Sequence, residues 1–329
     1  MTGIWRRRHA QVSPNTGLNG GFTSPSGIPS QRDRIVVITG TGGLGFQAAL
    51  EFARADADVI LAGRDERKGK KAVSEIQAAS PFARMRFELL DLASLSSIAS
   101  LAAKLERDVA AVDTLICNAG IMSPPKRRTT AEGFELQFGV NYLGHFALAA
   151  RLLPLLRKSA APRVVSVTSL AHRYAKVDVD DLQSERRYVP GRAYCVSKLA
   201  QAYFAQELQR RSVAGNWGVT SIAAHPGLAR TDIFQSDQDK TSLLKDLGTG
   251  VMGRVLGHSA SAGAAPIVYA STSPEAKGGM LYGPKGLFEM KGPPGPCEFS
   301  PASRDPEAAS RLWTISEDLA GVRFPKPHA

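Results

Sequence analysis

From Arg34 onward the chain alternates between two hydrophobic patterns. Short β-branched runs such as Ile35-Val36-Val37-Ile38-Thr39 are apolar at successive positions, as in strands buried on both faces of a parallel sheet. Between them lie longer stretches whose apolar residues recur every three or four positions, the period of a helix. Strands are predicted at 35–39, 57–62, 85–90, 112–117, 163–168 and 218–224, and helices near 43–54, 66–79, 94–107, 131–157 and 193–212. Repeated strand–helix alternation predicts an α/β fold: a single Rossmann-type doubly wound parallel sheet with right-handed crossovers and helices on both faces.

The flanks break this pattern. Residues 1–31 are rich in Gly, Ser, Pro and Asn with few apolar anchors, and read as a flexible N-terminal arm. A predicted helix near 259–271 and a short strand at 280–282 close the sheet, so the folded domain is placed at 32–283. In the remainder, 284–329, Asp305 is a helix cap, Pro306 a first helical residue and Gly321 a stop. Leu312, Ile315 and Leu319 then form an apolar stripe that packs this tail helix on the domain. The segment 228–257 carries exposed-looking apolar residues, among them Leu243, Leu244, Leu247, Val251 and Met252.

Charge changes the picture little. Lys and Arg exceed Asp and Glu by 11, an excess compatible with an anionic cofactor, a membrane surface or nucleic acid. Only Arg6-Arg7-Arg8 and Lys126-Arg127-Arg128 cluster, so no nucleic-acid partner is expected. The three cysteines, Cys117, Cys195 and Cys297, are odd in number and have no metal spacing; they read as reduced thiols. No apolar run reaches the roughly 18 residues of a membrane span, and Arg6-Arg7-Arg8 lacks the apolar stretch of a signal peptide. A cytoplasmic protein without a transmembrane segment is expected, and no metal.

Candidate chemistry sits in two places. Gly40-Thr41-Gly42-Gly43-Leu44-Gly45 follows the first strand and opens a helix, where backbone amides and the helix N-terminus meet a pyrophosphate. At the end of the second strand, Gly63 stands where a ribose-binding carboxylate is expected, and Arg64 follows; a small residue plus a guanidinium suits a 2′-phosphate. Asp65 reads as the cap of the next helix. Asp91-Leu92, after the third strand, falls where a carboxylate meets the adenine edge. The second place is Tyr194-Cys195-Val196-Ser197-Lys198. Spacing of four puts the phenol and the ammonium on one helical face, and a cation beside a phenol lowers its pKa. Such a tyrosine gives a proton to a carbonyl oxygen or takes one from an alcohol. Alone, this spacing occurs on many helices by chance.

With these pieces in place the chain resembles the short-chain dehydrogenase/reductase family. It looks most like the branch holding retinol dehydrogenase-like, WW-domain oxidoreductase-like and protochlorophyllide reductase-like enzymes. The matching stretches are Thr39 to Gly45, Cys117-Asn118-Ala119-Gly120, Val140-Asn141-Tyr142-Leu143-Gly144-His145-Phe146, Val167-Thr168-Ser169, Tyr194 to Lys198 and His225-Pro226-Gly227, in family order. Asp181 to Glu185 and Tyr194-Cys195 look particularly like the retinol dehydrogenase-like branch. One departure stands out: Gly40 and Gly43 enclose two residues where the family pattern has three. That spacing resembles the epimerase/dehydratase group, but Phe46 stands where that group has glycine.

The resemblance implies an NADP(H)-dependent oxidoreductase acting on a small-molecule carbonyl or alcohol. Ser169 would orient the substrate oxygen, Tyr194 would be the acid/base, Lys198 would tune it and hold the nicotinamide ribose, and Asn141 would anchor a relay water. Asn118, Ala119 and Gly120 would line the cofactor, with Pro226, Gly227 and Thr231 near the carboxamide; Thr231-Asp232 also reads as a plain helix start. In many relatives the helices matching 131–157 and 193–212 form a dimer or tetramer interface. A homo-oligomer is therefore expected unless the extended tail covers one of those faces. The alternative is a catalytically silent NADP(H)-sensing protein on the same fold.

Overall fold

The computed structural model describes residues 27–178, 180–229 and 258–326. Eight strands form one sheet in the order β3-β2-β1-β4-β5-β6-β7-β8, parallel except for the last. They are β1 Ile35–Thr39, β2 Asp58–Gly63, β3 Arg84–Leu89, β4 Thr114–Cys117, β5 Arg163–Val167, β6 Thr220–Ala224, β7 Leu281–Pro284 and β8 Pro294–Cys297. This is a Rossmann-type α/β fold.

One face carries α1 (Gly43–Arg54), α2 (Glu66–Ala79) and α6 (Ala260–Thr272), packed through Ala48, Phe52, Ile76 and Ile267 against Val36, Ile38, Val59 and Leu61. On the other lie α3 (Leu95–Asp108), α4 (Gly144–Leu156) and α5 (Pro190–Ala214), where Ile98, Leu105, Leu152 and Leu208 meet Val37, Ile60, Leu115 and Val164. The alternation of odd and even strand residues between the two cores explains why the strands are apolar at every position. Ahead of β1, Gln31 is buried and its amide donates to Ala55 O, while Ile28 packs on the first core.

Three elements differ from the periodicity. The predicted helix over 131–157 begins later: Gly133 has φ +90°, Thr129 and Glu135 form an antiparallel bridge, and the Glu135 carboxylate accepts the amides of Gln137 and Phe138. A π-helical turn, Phe138–Leu143, then precedes α4. The sheet also continues past residue 283, because Pro294–Cys297 pairs antiparallel with β7. Its Pro-Gly-Pro sequence has no strand signature, and proline tolerates only an edge position. Helix α5 starts at Pro190 rather than 193, with proline in its first turn.

The tail ends in α7 (Pro306–Ala320), capped by Asp305, which accepts from Glu307 N and Ala308 N, and stopped at Gly321 with φ +59°. Trp313 is buried against Phe146 and Phe204, with the Arg211 guanidinium over its ring and Phe324 beside it. No helix among the described residues is long and apolar enough to cross a membrane.

Candidate active site

In a doubly wound sheet the ligand crevice opens where strand order reverses, here between β1 and β4. β1 is followed by Gly40 (φ +91°), and α1 begins at Gly43 (φ +50°) after the cap Gly42. A Cβ on Gly45 would lie 2.3 Å from Gly40 O and 2.7 Å from Asn118 Nδ2. The two-residue spacing therefore still closes into a turn folded tightly over its own helix, with backbone where side chains would otherwise stand. Above it lies a cleft of about 410 Å³ lined by Gly40, Thr41, Gly42, Gly43, Leu44, Arg64, Asp91, Leu92, Asn118, Ala119 and Gly120. All of these are residues expected from the sequence; Lys68, Ile121 and Val140 join them. Such a backbone cradle fits a dinucleotide.

The rim at β2 is short of negative charge. Gly63 faces Thr41, whose methyl would be 2.8 Å from a Cβ there. Arg64 is exposed on the rim. The carboxylate of Asp65 turns away to cap α2, accepting Lys68 N at 2.9 Å. Asp91 spends Oδ1 on Ala93 N.

The floor is held by a chain of polar groups that the sequence reading passed over. Thr39 Oγ1 accepts the amides of Asn118 (2.9 Å) and Ala119 (3.0 Å), and lies 2.8 Å from His145 Nε2. His145 Nδ1 donates to Asn141 O at 2.9 Å, so Nε2 is the acceptor and takes the threonine hydrogen. Burial pushes His145 down to about 4, which keeps the ring neutral. The signal for this link was present as His145 four residues after Asn141, one helical turn on.

Asn141 lies in the π-helical turn. Its amide group pairs with Ile121, accepting from N at 2.8 Å and donating to O at 3.0 Å, and donates to Ser197 Oγ at 2.9 Å. Ser197 in turn donates to Tyr194 O at 2.8 Å. A Cβ on Gly120 would lie 3.1 Å from Asn141 Oδ1 and 3.7 Å from Lys198 Nζ, so these three groups converge. Lys198 Nζ donates to Val167 O at 3.0 Å and to Gln201 Oε1 at 2.8 Å, and sits 5.8 Å from the Tyr194 ring centroid. The Ser169 side chain neighbours the Tyr194 phenol and acts to lower its pKa. Ser169, just past β5, also caps the 3-10 turn Leu170–Tyr174 by accepting Ala171 N. Ser169, Tyr194, Lys198 and Asn141 are thus brought together.

The electrostatics differ from the simple expectation that Lys198 lowers the Tyr194 pKa. Burial pushes Tyr194 up to about 12, against a smaller opposing effect of the Ser169 side chain. Burial also takes Lys198 down to about 7. The ammonium is itself disfavoured here, so it cannot offset the desolvation of the phenolate. At neutral pH Tyr194 is therefore held as a phenol.

Pro226 and Gly227 follow β6. Gly227 has φ +67°, and a Cβ there would be 2.3 Å from Met290 O. Pro226 and Leu44 both border Gly263 of α6, which places this turn beside the glycine-rich turn. Thr231 and the apolar set Leu243 to Met252 lie outside the described residues. The three cysteines are free.

A family model described as short chain dehydrogenase matches residues 34–242. The chain is 39% identical over 311 residues to human retinol dehydrogenase 13, covering 93% of this chain and 89% of that one. It is also 39% identical to human polyprenol dehydrogenase, covering 92% and 89%. Among solved structures, a putative uncharacterized protein from Mycobacterium Paratuberculosis superposes with a TM-score of 0.75 at 37% identity, covering 93% of this chain and all of that one. A glycine-cradled cleft at the sheet's switch point, beside a tyrosine, lysine and serine, is the site of a nicotinamide-type oxidoreductase. The chain belongs to the short-chain dehydrogenase family, in its retinol dehydrogenase-like branch.

Proposed function

We propose that the protein is an NADP(H)-dependent oxidoreductase that transfers hydride between C4 of the nicotinamide and a carbonyl or alcohol carbon of a bulky, largely apolar substrate. The observation that carries this is the convergence of Lys198 and Asn141 on Gly120 at the cleft, with the Tyr194 ring 5.8 Å from Lys198 Nζ and Ser169 beside its phenol. The bound nicotinamide would supply or accept the hydride. Tyr194, a phenol at neutral pH, gives its proton to the carbonyl oxygen as the alcohol forms, and Ser169 orients that oxygen. Lys198 donates to Val167 and Gln201; its remaining position, a third hydrogen in the ammonium or a lone pair in the amine, is left for a ribose hydroxyl. Asn141 stiffens the floor beneath them. A silent nucleotide sensor would need none of these four side chains.

Support for NADP(H) comes from the rim, where Gly63 removes the carboxylate and Arg64 and Lys68 border the cleft. Support for an apolar substrate comes from side chains on segments next to the site. Tyr174, at the end of the turn that Ser169 caps, is 82% exposed, and Leu287 and Phe288, just before Met290, are 65% and 71% exposed. Two relatives named above act on retinol and polyprenol, by their names, and both are apolar alcohols.

The test is purified protein with NADPH or NADH against a panel of hydrophobic aldehydes and ketones and small charged sugars. Turnover of the hydrophobic carbonyls with NADPH is expected. A higher kcat/KM for the sugars would overturn the substrate class, and equal use of NADH would overturn the cofactor preference.

A further inference from the structure

Glu289 lies far from the residues singled out in the sequence, yet it touches both halves of the candidate site. Arg173 belongs to the 3-10 turn that Ser169 caps, and its Nη2 donates to Glu289 Oε2 at 2.5 Å. His225 immediately precedes Pro226-Gly227, and its Nε2 lies 3.1 Å from the same oxygen. The tautomer follows from the other nitrogen: Gly227 N–H donates to His225 Nδ1 at 3.2 Å, so Nε2 carries the hydrogen and donates to Glu289. The surroundings are shaped around this arrangement. A Cβ on Gly283 would lie 2.0 Å from His225 Nε2. Leu228 N donates to Met290 O at 2.9 Å, pinning the next residue of the same loop. Phe288 and Glu289 are both held at positive φ, +50° and +57°, a conformation that persists in non-glycine residues only where neighbours enforce it. His225 and Arg173 also keep the carboxylate ionised, with its pKa down at about 2.

We infer that Glu289 is a positioning residue, a latch that fixes the Ser169 turn against the Pro226-Gly227 turn. The inference rests on the reading above only in its kinetic consequence. If Ser169 orients the substrate oxygen and Pro226-Gly227 borders the nicotinamide, the distance the hydride must cover is set by how these two turns sit relative to each other. Near-attack geometry tolerates little displacement, and second-layer partners of this kind matter even without touching substrate. His225, Glu289 and Cys297 also bring ligand atoms within 4.8 Å of one another. A metal is the weaker reading of that cluster: Gly227 N–H takes the Nδ1 lone pair, so Nε2 carries the hydrogen, and burial pushes the Cys297 thiol up to about 12, away from the thiolate a metal would bind.

The test compares wild type, Glu289→Gln and, as a second variant that keeps the His225 bond, Arg173→Met. Native-state hydrogen exchange is read on the amides of 170–174 and 227–229. Exchange there should accelerate by at least about tenfold, with the amides of β1 and β4 unchanged, as expected for loss of a local tether. With NADPH and a hydrophobic ketone, kcat should fall roughly 10- to 100-fold while the Kd for NADPH stays within about twofold. In a Ser169→Ala background the Glu289→Gln loss should shrink to less than about threefold, because a residue acting through Ser169 has nothing left to position. Unchanged exchange in both turns, acceleration spread evenly over the sheet, or a full loss in the Ser169→Ala background overturns the latch. Local acceleration in a protein that reduces no carbonyl upholds the latch and overturns the reductase reading instead.

Discussion

Tyr194 and Lys198 are opposed in what burial does to them: the phenol is pushed up to about 12 and the ammonium down to about 7. A phenol that resists ionisation is suited to giving a proton to a developing alkoxide, and Tyr194 lies beside Ser169 to do so. Tyr194→Phe should therefore reduce kcat to below a few per cent of wild type while the Kd for NADPH changes by less than about twofold, since the ring still packs. Steady-state kinetics with fluorescence titration of the cofactor checks both halves. Under the proposed preference for NADP(H), Arg64 is the residue expected to set cofactor choice. A hydrogen bond to a charged group contributes about 1.5–3 kcal/mol, or roughly 10- to 150-fold, so Arg64→Ala should weaken NADPH at least about tenfold and leave NADH within about twofold. Equal losses for both cofactors would mean that Arg64 does not read the 2′-phosphate.

At the scale of elements, most of the frame was legible. Strands β1, β2 and β4 carry consecutive apolar residues at Ile35–Ile38, Val59–Ala62 and Leu115–Cys117, and β5 does so at Val164 and Val165; buried parallel strands leave that mark. The cofactor cleft was legible for the same reason, because glycine turns and strand ends sit where topology puts them. What periodicity could not report was the π-helical turn, since Phe138 to Leu143 are apolar enough for any helix and the start is set by Glu135 accepting two amides. Nor could it report Thr39, His145 and Gln201, whose roles come from partners distant in sequence or from tertiary burial. The tail helix was legible from Asp305, Pro306 and Gly321, but the weight on Trp313 was not. Trp313 is 1% exposed and wedged among Phe146, Phe204 and Phe324. Removing a buried tryptophan side chain costs about 3–5 kcal/mol. Trp313→Ala should lower the thermal midpoint by many degrees, read by calorimetry, while Trp313→Phe should recover a good part of the loss.

For the molecule as a whole, the buried histidines make a statement about acid. Burial pushes His145 and His172 down to about 4 and also lowers His225. Between pH 6.5 and about 4 the rings of His145 and His172 are neutral in the folded chain but protonated in the unfolded one. Unfolding then takes up protons, so stability falls as pH drops through that window, each ring adding up to about 1.4 kcal/mol per pH unit. Urea midpoints at pH 7, 6, 5 and 4 should decline accordingly, and a flat series would contradict buried neutral rings. The same scale bears on assembly. Helix α7 lies on α4 and α5 through Trp313, and the Tyr203 hydroxyl donates to Ala302 O at 2.5 Å. The tail thus covers part of α4 and α5, the helices through which a homo-oligomer was expected from the sequence to pair.

The last strand has a consequence for how copies of this chain can meet. Lys285 N donates to Pro293 O, and the register pairs Gly283 with Gly295 and Leu281 with Cys297, so Pro294 and Pro296 alternate to the outer side of β8. That margin has no amide hydrogen to offer at either position. At the opposite margin, β3 presents Arg84, Arg86 and Glu88, tied to Asp58, Asp108 and Lys104. One border lacks amide donors at two positions and the other carries charge, so edge-to-edge pairing of neighbouring sheets is disfavoured. For crowded copies that begin to open at low pH, the simplest route to a fibre is thereby hindered.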